Sequence, residues 1–358
     1  MHQLYHDILR TGPVAASAPC RMDMGGTLDI SSFFYPLAHV KPCTFNIALA
    51  MRTRVTIGPF QKEYVKISSK GFEDAIFPIE SMPFDHPMGL MFAIAAYFQA
   101  DGIHIDIESG SPPRSALGGS SVAAVALIAA FNLLMEKSGG SVIPKARIPL
   151  LAHGIEESVA GVPCGLQDQL AAVYGGINAW YWKGYGDDAP YVQRPIAGPD
   201  QYKELSSHLL LAYCGIPHES RNINGIWVRQ FISGQNRSRW IEIADCTRAF
   251  VEAFDASDFR EAVKQMNRET DLRLKMTPDV LDDMGSRLVV AARRHDCGAR
   301  FTGAGGGGCV WALGDEEKIK DLAGAWTELL AQREEACLLD VDIDADGLMT
   351  DTNQALNR

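Results

Sequence analysis

From Ala116 to Met135 the chain reads ALGGSSVAAVALIAAFNLLM without one charged residue, and no other segment constrains the fold as much. The span would suffice for a membrane helix. Glycines and serines at its start confine the strongly apolar part to residues 122–135, however, a length suited to a helix buried in a globular core. A buried helix needs enough chain to surround it. With 358 residues, 47% hydrophobic and 22% charged, this sequence can bury a large core and exceeds the usual size of one domain, so two closely packed domains are expected.

Just ahead of the apolar run, Ile103 to Ile107 alternates as a strand and SPPRSALGGSS supplies small residues, giving strand, loop, helix. The N–H groups that open a helix have no partners within it and can face an anion. The loop lacks the GK[ST] ending of a Walker A motif, so lysine is not the phosphate clamp. The simpler alternative is that Gly118, Gly119, Ser120 and Ser121 only cap the helix.

Elsewhere in the first half, an irregular stretch at Met24 to Asp29 precedes expected strands at Thr44 to Ile57 and Tyr64 to Ser68 and a helix at Pro87 to Ala100. A polar, Gly- and Pro-containing stretch from Lys183 to Gln201 is the best boundary, with Asp187 and Asp188 read as solvated. Beyond it the pattern predicts a strand at His208 to Tyr213, helices at Ile223 to Ser233 and Trp240 to Phe254, and two short strands flanking GAGGGG within Ala299 to Leu313. A last helix (Glu316 to Arg333) and strand (Cys337 to Ile343) complete an α+β chain. The expected division is 1–195, 202–345 and a tail at 346–358.

A formal net charge of −11 argues against a general nucleic-acid or anionic-membrane binder, since such proteins need surplus Lys and Arg. Any phosphate must be held locally. The eight cysteines form no CxxC pair and no compact framework, and MHQLYHDILRTGP has no basic segment followed by an apolar one; reduced thiols, no signal peptide and a cytoplasmic protein are expected. His153 to Glu156 begins like an inverted zinc-protease motif but lacks its second His, and no GxSxG elbow is present.

Two further segments carry chemistry. Gly303 to Gly308 satisfies GxGxxG, yet it runs into the strand pattern CVWAL, whereas a Rossmann loop opens a helix after the first strand. Its successive glycines instead let backbone come close to a ligand or another loop. In EESVAGVPCGLQDQLAAVYGG, Glu156 and Glu157 end one helical pattern and Asp168 follows a Gly/Pro loop. Taken alone, an Asp there reads as a helix cap or first-turn acid.

In this order the three segments resemble the motifs of the GHMP kinases (galactokinase, homoserine kinase, mevalonate kinase, phosphomevalonate kinase) over roughly Ala18 to Leu313. PPRSALGGSSVA resembles the family's phosphate loop, RFTGAGGGGCVWAL its C-terminal glycine loop, and GVPCGLQDQ with Tyr-Gly-Gly the sugar kinases of the galactokinase, heptose-phosphate kinase and fucokinase type. SAPCRMDMGGTLDI is similar to the first motif, although Arg21 and Asp29 lie eight apart where those relatives have nine. Arg114 and Ala116 stand where the phosphate loop usually has Gly or a small residue.

The resemblance implies a ribosomal-protein-like N-terminal domain with a left-handed βαβ unit, a ferredoxin-like C-terminal domain, and an active site between them. It implies an ATP- and Mg²⁺-dependent kinase of carbohydrate metabolism, monomeric or homodimeric, phosphorylating a sugar or sugar phosphate at the anomeric hydroxyl. Asp168 would accept or orient the hydroxyl proton, with Arg21 beside it. Ser115, Leu117, Gly118, Gly119, Ser120, Ser121, Gly305 and Gly306 would meet ATP. Gly26, Thr27, Asp29 and Arg221 would meet the acceptor, and Ser121 and Glu156 would hold Mg²⁺. Glu156 precedes Asp168 by twelve positions, as in galactokinases; the mevalonate-kinase spacing of eleven would choose Glu157. An ATP-dependent decarboxylase and a non-catalytic sugar and ATP sensor are the alternatives.

Overall fold

The computed structural model describes residues 2–184, 189–217 and 223–351. In chain order the first half comprises α1 (His2–Thr11), β1 (Val14–Met24), α2 (Ser31–Phe34), β2 (Cys43–Pro59), β3 (Tyr64–Ser69), β4 (Ala75–Pro78) and α3 (Gly89–Tyr97). It continues with β5 (Ile103–Ser109), α4 (Gly119–Lys137), α5 (Ile148–Ala160), α6 (Gln167–Tyr174), β6 (Ile177–Trp182) and β7 (Tyr191–Pro195). The second half holds α7 (Tyr202–Ser206), β8 (Leu209–Tyr213), α8 (Ile223–Ile232), α9 (Arg237–Asp255), α10 (Phe259–Met276) and α11 (Asp283–Arg294). β9 (Gly298–Phe301), β10 (Cys309–Leu313), α12 (Glu316–Leu330), β11 (Cys337–Leu339) and β12 (Met349–Thr350) close the chain.

The uncharged stretch becomes α4. Every residue from Ser121 to Phe131 is buried, because the helix packs on β1 and β2 and is flanked by α3, α5 and α6. Among the described residues it is the one helix long and apolar enough to cross a membrane, and it is the core helix of the first half. The long β2 organises the sheet beneath it: Cys43–Ile47 pairs with β6, Thr53–Pro59 pairs with β5, and β1 runs antiparallel along the other edge. Strands β3 and β5 are parallel, which demands a crossover, and β4 with α3 provides it.

The second sheet is antiparallel with order β11-β8-β10-β9, so its strands stand in the order fourth, first, third, second. Alternated with helices, that is the ferredoxin-like arrangement which the family resemblance implies. Other features lay outside the expectations from sequence. Tyr191–Pro195, within the polar boundary stretch, pairs with β6; Met349 and Thr350, within the segment expected to be a tail, pair with Ser17 and Ala16 of β1; and α10 and α11 fill a span in which no helix was read. The Asp187 and Asp188 pair lies outside the described residues.

The halves share their cores. Phe45 of β2 sits 5.2 Å from Phe250 and 5.0 Å from Phe254 of α9, and Phe33 of α2 sits 4.7 Å from Phe231 and 4.3 Å from Trp240 between ring centroids. Chain leaving β1 therefore passes directly into the second half. The end of β1 lies between the halves, and there the charged residues gather.

Candidate active site

Every residue of β1 is buried, including Arg21 and Asp23. A strand covered on both faces can hold charge only where partners meet it. Arg21 donates from Nε to Asp168 Oδ1 (2.8 Å), from Nη2 to Asp168 Oδ2 (2.9 Å) and from Nη1 to the carbonyl of Ala116 (2.7 Å). Burial opposes the guanidinium charge, but Asp168 and Asp23 outweigh it and hold the Arg21 pKa above its ordinary value. Asp168 is the second residue of α6 and caps nothing; it is a first-turn acid, as the simpler reading allowed, and its carboxylate is turned to Arg21.

The loop before α4 is bent by three alternate left-handed residues, Arg114 (φ 55°), Ala116 (φ 61°) and Gly118 (φ 82°). Such alternation turns backbone N–H groups towards a common concavity suited to anions. The two departures from the family pattern thus take up the strained conformation themselves. No side chain caps α4, which leaves the first-turn N–H groups of Gly119, Ser120 and Ser121 without intrahelical partners. Leu117 and Ser115 are buried, and the Leu117 carbonyl accepts the Arg21 N–H (3.2 Å). Those two shape the loop, and Gly118, Gly119 and Ser120 form its open face.

Glu156 of α5 faces the same helix start. It accepts from Ser120 Oγ (3.1 Å) on one oxygen and from Ser121 Oγ (2.7 Å) and Gln169 Nε2 (2.7 Å) on the other. Burial, aided by the charge of Asp168, pushes its carboxyl above the usual range in spite of these donors. Glu157 is exposed one residue on. A hydroxyl and a carboxylate converging beside open N–H groups fit Mg²⁺, which takes one or two protein oxygens and completes its shell with phosphate and water.

The glycine loop between β9 and β10 is left-handed at Gly303, Gly305, Gly306, Gly307 and Gly308. A Cβ on Gly308 would lie 2.5 Å from the Ser115 carbonyl, so the second half's loop packs backbone to backbone on the phosphate loop. Gly305 and Gly306 give their N–H groups to the carbonyls of Thr302 and Val280. Both N–H groups are thus engaged within the second half's own loop.

On the acceptor side, Asp29 is buried against α6. Its Oδ2 accepts the Gln167 N–H (3.0 Å), and its buried Oδ1 has no partner among the described residues. A side chain on Gly165 would run into this carboxylate, which explains the glycine there. Burial is the chief cause that raises the Asp29 carboxyl from 3.8 to about 6, against the Gln167 N–H and with help from Asp168. Thr27, a β-branched residue held at φ 80°, lines the same cleft; its hydroxyl donates to Asn224 Oδ1 (3.2 Å) and accepts from Arg273 (3.4 Å). Gly26 offers its carbonyl to Arg273 (2.6 Å) and does not line the cleft.

Arg21, Thr27, Asp29, Gln167, Asp168 and Asn224 thus line a small polar cavity of about 90 Å³. It can take part of a small polar molecule but no nucleotide, whose phosphates would have to lie along the loop outside. Sequence reasoning missed Asn224, Gln169 and Asp23. Only the QDQ string and the RMD triplet hinted at the latter two. Arg221 lies outside the described residues.

Residues 88–176 match the model of the GHMP kinases N-terminal domain and residues 250–332 that of the GHMP kinases C-terminal domain. A mevalonate kinase of Thermococcus onnurineus is 24% identical over 335 residues, covering 85% of this chain and 90% of its own. Glucuronokinase 1 of Arabidopsis thaliana is 25% identical, covering 60% of this chain and 59% of its own. The galactokinase of Lactococcus lactis, solved with galactose, superposes with a TM-score of 0.70 at 16% identity, covering 94% of this chain and 95% of its own, a likeness of fold. Two domain models in the right order on an interdomain phosphate-loop fold mark a two-domain kinase architecture. The chain belongs to the GHMP kinases.

Proposed function

We propose that the protein is an ATP-dependent kinase that transfers the γ-phosphate to a hydroxyl of a sugar, with the anomeric C1 hydroxyl as the position. The observation that carries this reading is the meeting of Asp168 with the phosphate loop. The carboxylate gripped by Arg21 lies so near Gly118 that a Cβ there would come within 3.1 Å of its Oδ2. An acceptor hydroxyl on Asp168 would therefore stand beside the open start of α4, where the phosphates are expected.

In-line transfer requires little more than positioning and charge stabilisation. Each Asp168 oxygen keeps a lone pair for the hydroxyl while Arg21 fixes the carboxylate plane. The Gly118 to Ser121 backbone cradles phosphate oxygens. Mg²⁺ would be held by Ser121 and Glu156, and when bound it offsets triphosphate charge. Asp29 Oδ1, buried and without a partner among the described residues, is available to an acceptor hydroxyl.

Charge around the cleft supports an acceptor read through hydroxyls. Among the described lining residues the cation is Arg21, already committed to Asp168, while Asp29 and Asp168 are both acidic. Mevalonate is the competing acceptor, favoured by the sequence match to a mevalonate kinase. A panel of ATP with free aldoses, fucose, heptose 7-phosphate, glucuronate and mevalonate, read by ³¹P NMR of the product, tests the proposal. Phosphate on the anomeric oxygen of a sugar is the expected result; phosphate only on mevalonate, or release of CO₂, refutes it.

A further inference from the structure

A chain of buried ion pairs links the second half to both sides of the cleft, and the phosphoryl transfer itself makes no use of it. Its fork is Glu269 of α10, fully buried. One Glu269 oxygen accepts from Arg273 Nε (2.8 Å); the other accepts from Arg300 Nε (3.0 Å) on β9. The Arg273 branch ends on the acceptor turn, with Nη2 on the Gly26 carbonyl (2.6 Å) and Nη1 on the Thr27 hydroxyl (3.4 Å). Its guanidinium lies 4.8 Å and 4.6 Å from the ring centroids of Trp227 and Trp240, which fix its plane.

The Arg300 branch runs to the reacting carboxylate. Arg300 Nη1 donates to Asp23 Oδ2 (3.1 Å) and to the Asp23 carbonyl (3.2 Å), and Asp23 Oδ1 accepts the Gly303 N–H (2.6 Å). That same Oδ1 lies 3.6 Å from Arg21 Nη1. Arg21 therefore stands between two acids, Asp23 and Asp168. Arg300 neutralises Asp23 and leaves the Arg21 fork to Asp168. Without Arg300, a fully buried Asp23 would have Arg21 as its remaining ion-pair partner among the described residues, and in a weakly screened interior it would draw that guanidinium towards itself.

Resting on the kinase reading, we propose that Glu269 is a branch point and its two arginines are positioning residues with separate duties. Arg300 sets the Arg21–Asp168 pair through Asp23, and Arg273 sets the Gly26–Thr27 turn against which the acceptor lies. Neither touches the reacting atoms. A purely structural role would lower the folded fraction alike in both variants and leave the constants of the folded molecules unchanged.

The test compares Arg300→Gln and Arg273→Gln, with kcat and acceptor KM normalised to folded protein by circular dichroism. Arg300→Gln lowers kcat by about 10-fold or more with acceptor KM nearly unchanged, and Arg273→Gln raises acceptor KM by about 10-fold with kcat nearly unchanged, as small misplacements of reacting groups do. If a glutamine variant does not fold, Arg300→Lys and Arg273→Lys take its place: one ammonium cannot hold Glu269 and the far partner together, so the same division of effects is expected at smaller size. Equal effects in the two variants, or none, overturn the proposal. Crystal structures of the variants read the same division without turnover: Arg21 and Asp168 part in the Arg300 variant and stay joined in the Arg273 variant. An intact Arg21–Asp168 grip in the Arg300 variant refutes this inference whatever the activity. A broken grip there, with a wild-type protein that phosphorylates no acceptor, refutes only the kinase reading.

Discussion

Replacing Asp29 with Asn should make the protein more stable at neutral pH while impairing acceptor binding. The carboxyl is 3% exposed, and its pKa is raised from 3.8 to about 6, chiefly by burial. A carboxyl whose folded pKa is raised destabilises the fold fully above that folded value. The cost fades as pH falls through about 6 and is gone below the unfolded value of 3.8. Each tenfold change in proton affinity is worth roughly 1.4 kcal/mol, so ionising this buried carboxyl costs the fold about 3 kcal/mol. Asn keeps an oxygen for the Gln167 N–H, though a neutral acceptor is weaker by about 1 kcal/mol. The expected net gain for Asp29→Asn is therefore about 2 kcal/mol at pH 8, shrinking to zero or reversing by pH 4. Denaturant melts at pH 8, 6 and 4 measure it. In the same variant acceptor kcat/KM should fall about 10-fold or more, the worth of a hydrogen bond to a charged group, and an acid limb near pH 6 should vanish. A variant less stable than wild type at pH 8, with a pH-independent difference, would refute the reasoning.

Ser121→Ala and Glu156→Ala should each raise the Mg²⁺ requirement, by about 10- to 100-fold as for other residues around bound ions, while Glu157→Ala should not; a defect confined to Glu157→Ala would move the metal site. Arg114 is exposed and left-handed, so Arg114→Gly should leave stability unchanged or raise it by up to about 1 kcal/mol. The same change should weaken ATP binding by up to about fivefold, the range of an exposed charge; equal or tighter binding would show that its charge plays no part.

The phosphate loop and α4 were legible because one uncharged stretch with small residues at its head can do little else than start a buried helix. Asp168 and Glu156 were legible as acids near loops, and their roles came with the resemblance. β1 was not read as a strand. It is buried on both faces, so the period-two alternation that betrays strands is missing, and Pro19, Arg21 and Asp23 interrupt the apolar pattern. Pro19 is tolerated because the register with β2 shifts between Pro19 and Cys20. In α10, polar and charged residues occupy positions that the fold buries: Gln265, Glu269, Thr270 and Arg273 all face the core. Glu269 is met there by Arg300, Thr270 donates to the Ala299 carbonyl and Arg273 donates to the Gly26 carbonyl, all far apart in sequence. No local pattern encodes such pairings.

Asp168→Asn tests the central claim most directly. The substitution keeps an oxygen for Arg21 Nε but removes half of the grip on a buried guanidinium, so the melting temperature should fall somewhat. ATP affinity should hold, because the phosphates are assigned to the Gly118 to Ser121 backbone. Turnover of the folded fraction, measured as ³²P transfer from ATP to the sugar, is expected to drop by about 10² to 10⁴. Turnover near that of wild type would contradict the assignment of Asp168 and the kinase mechanism built on it.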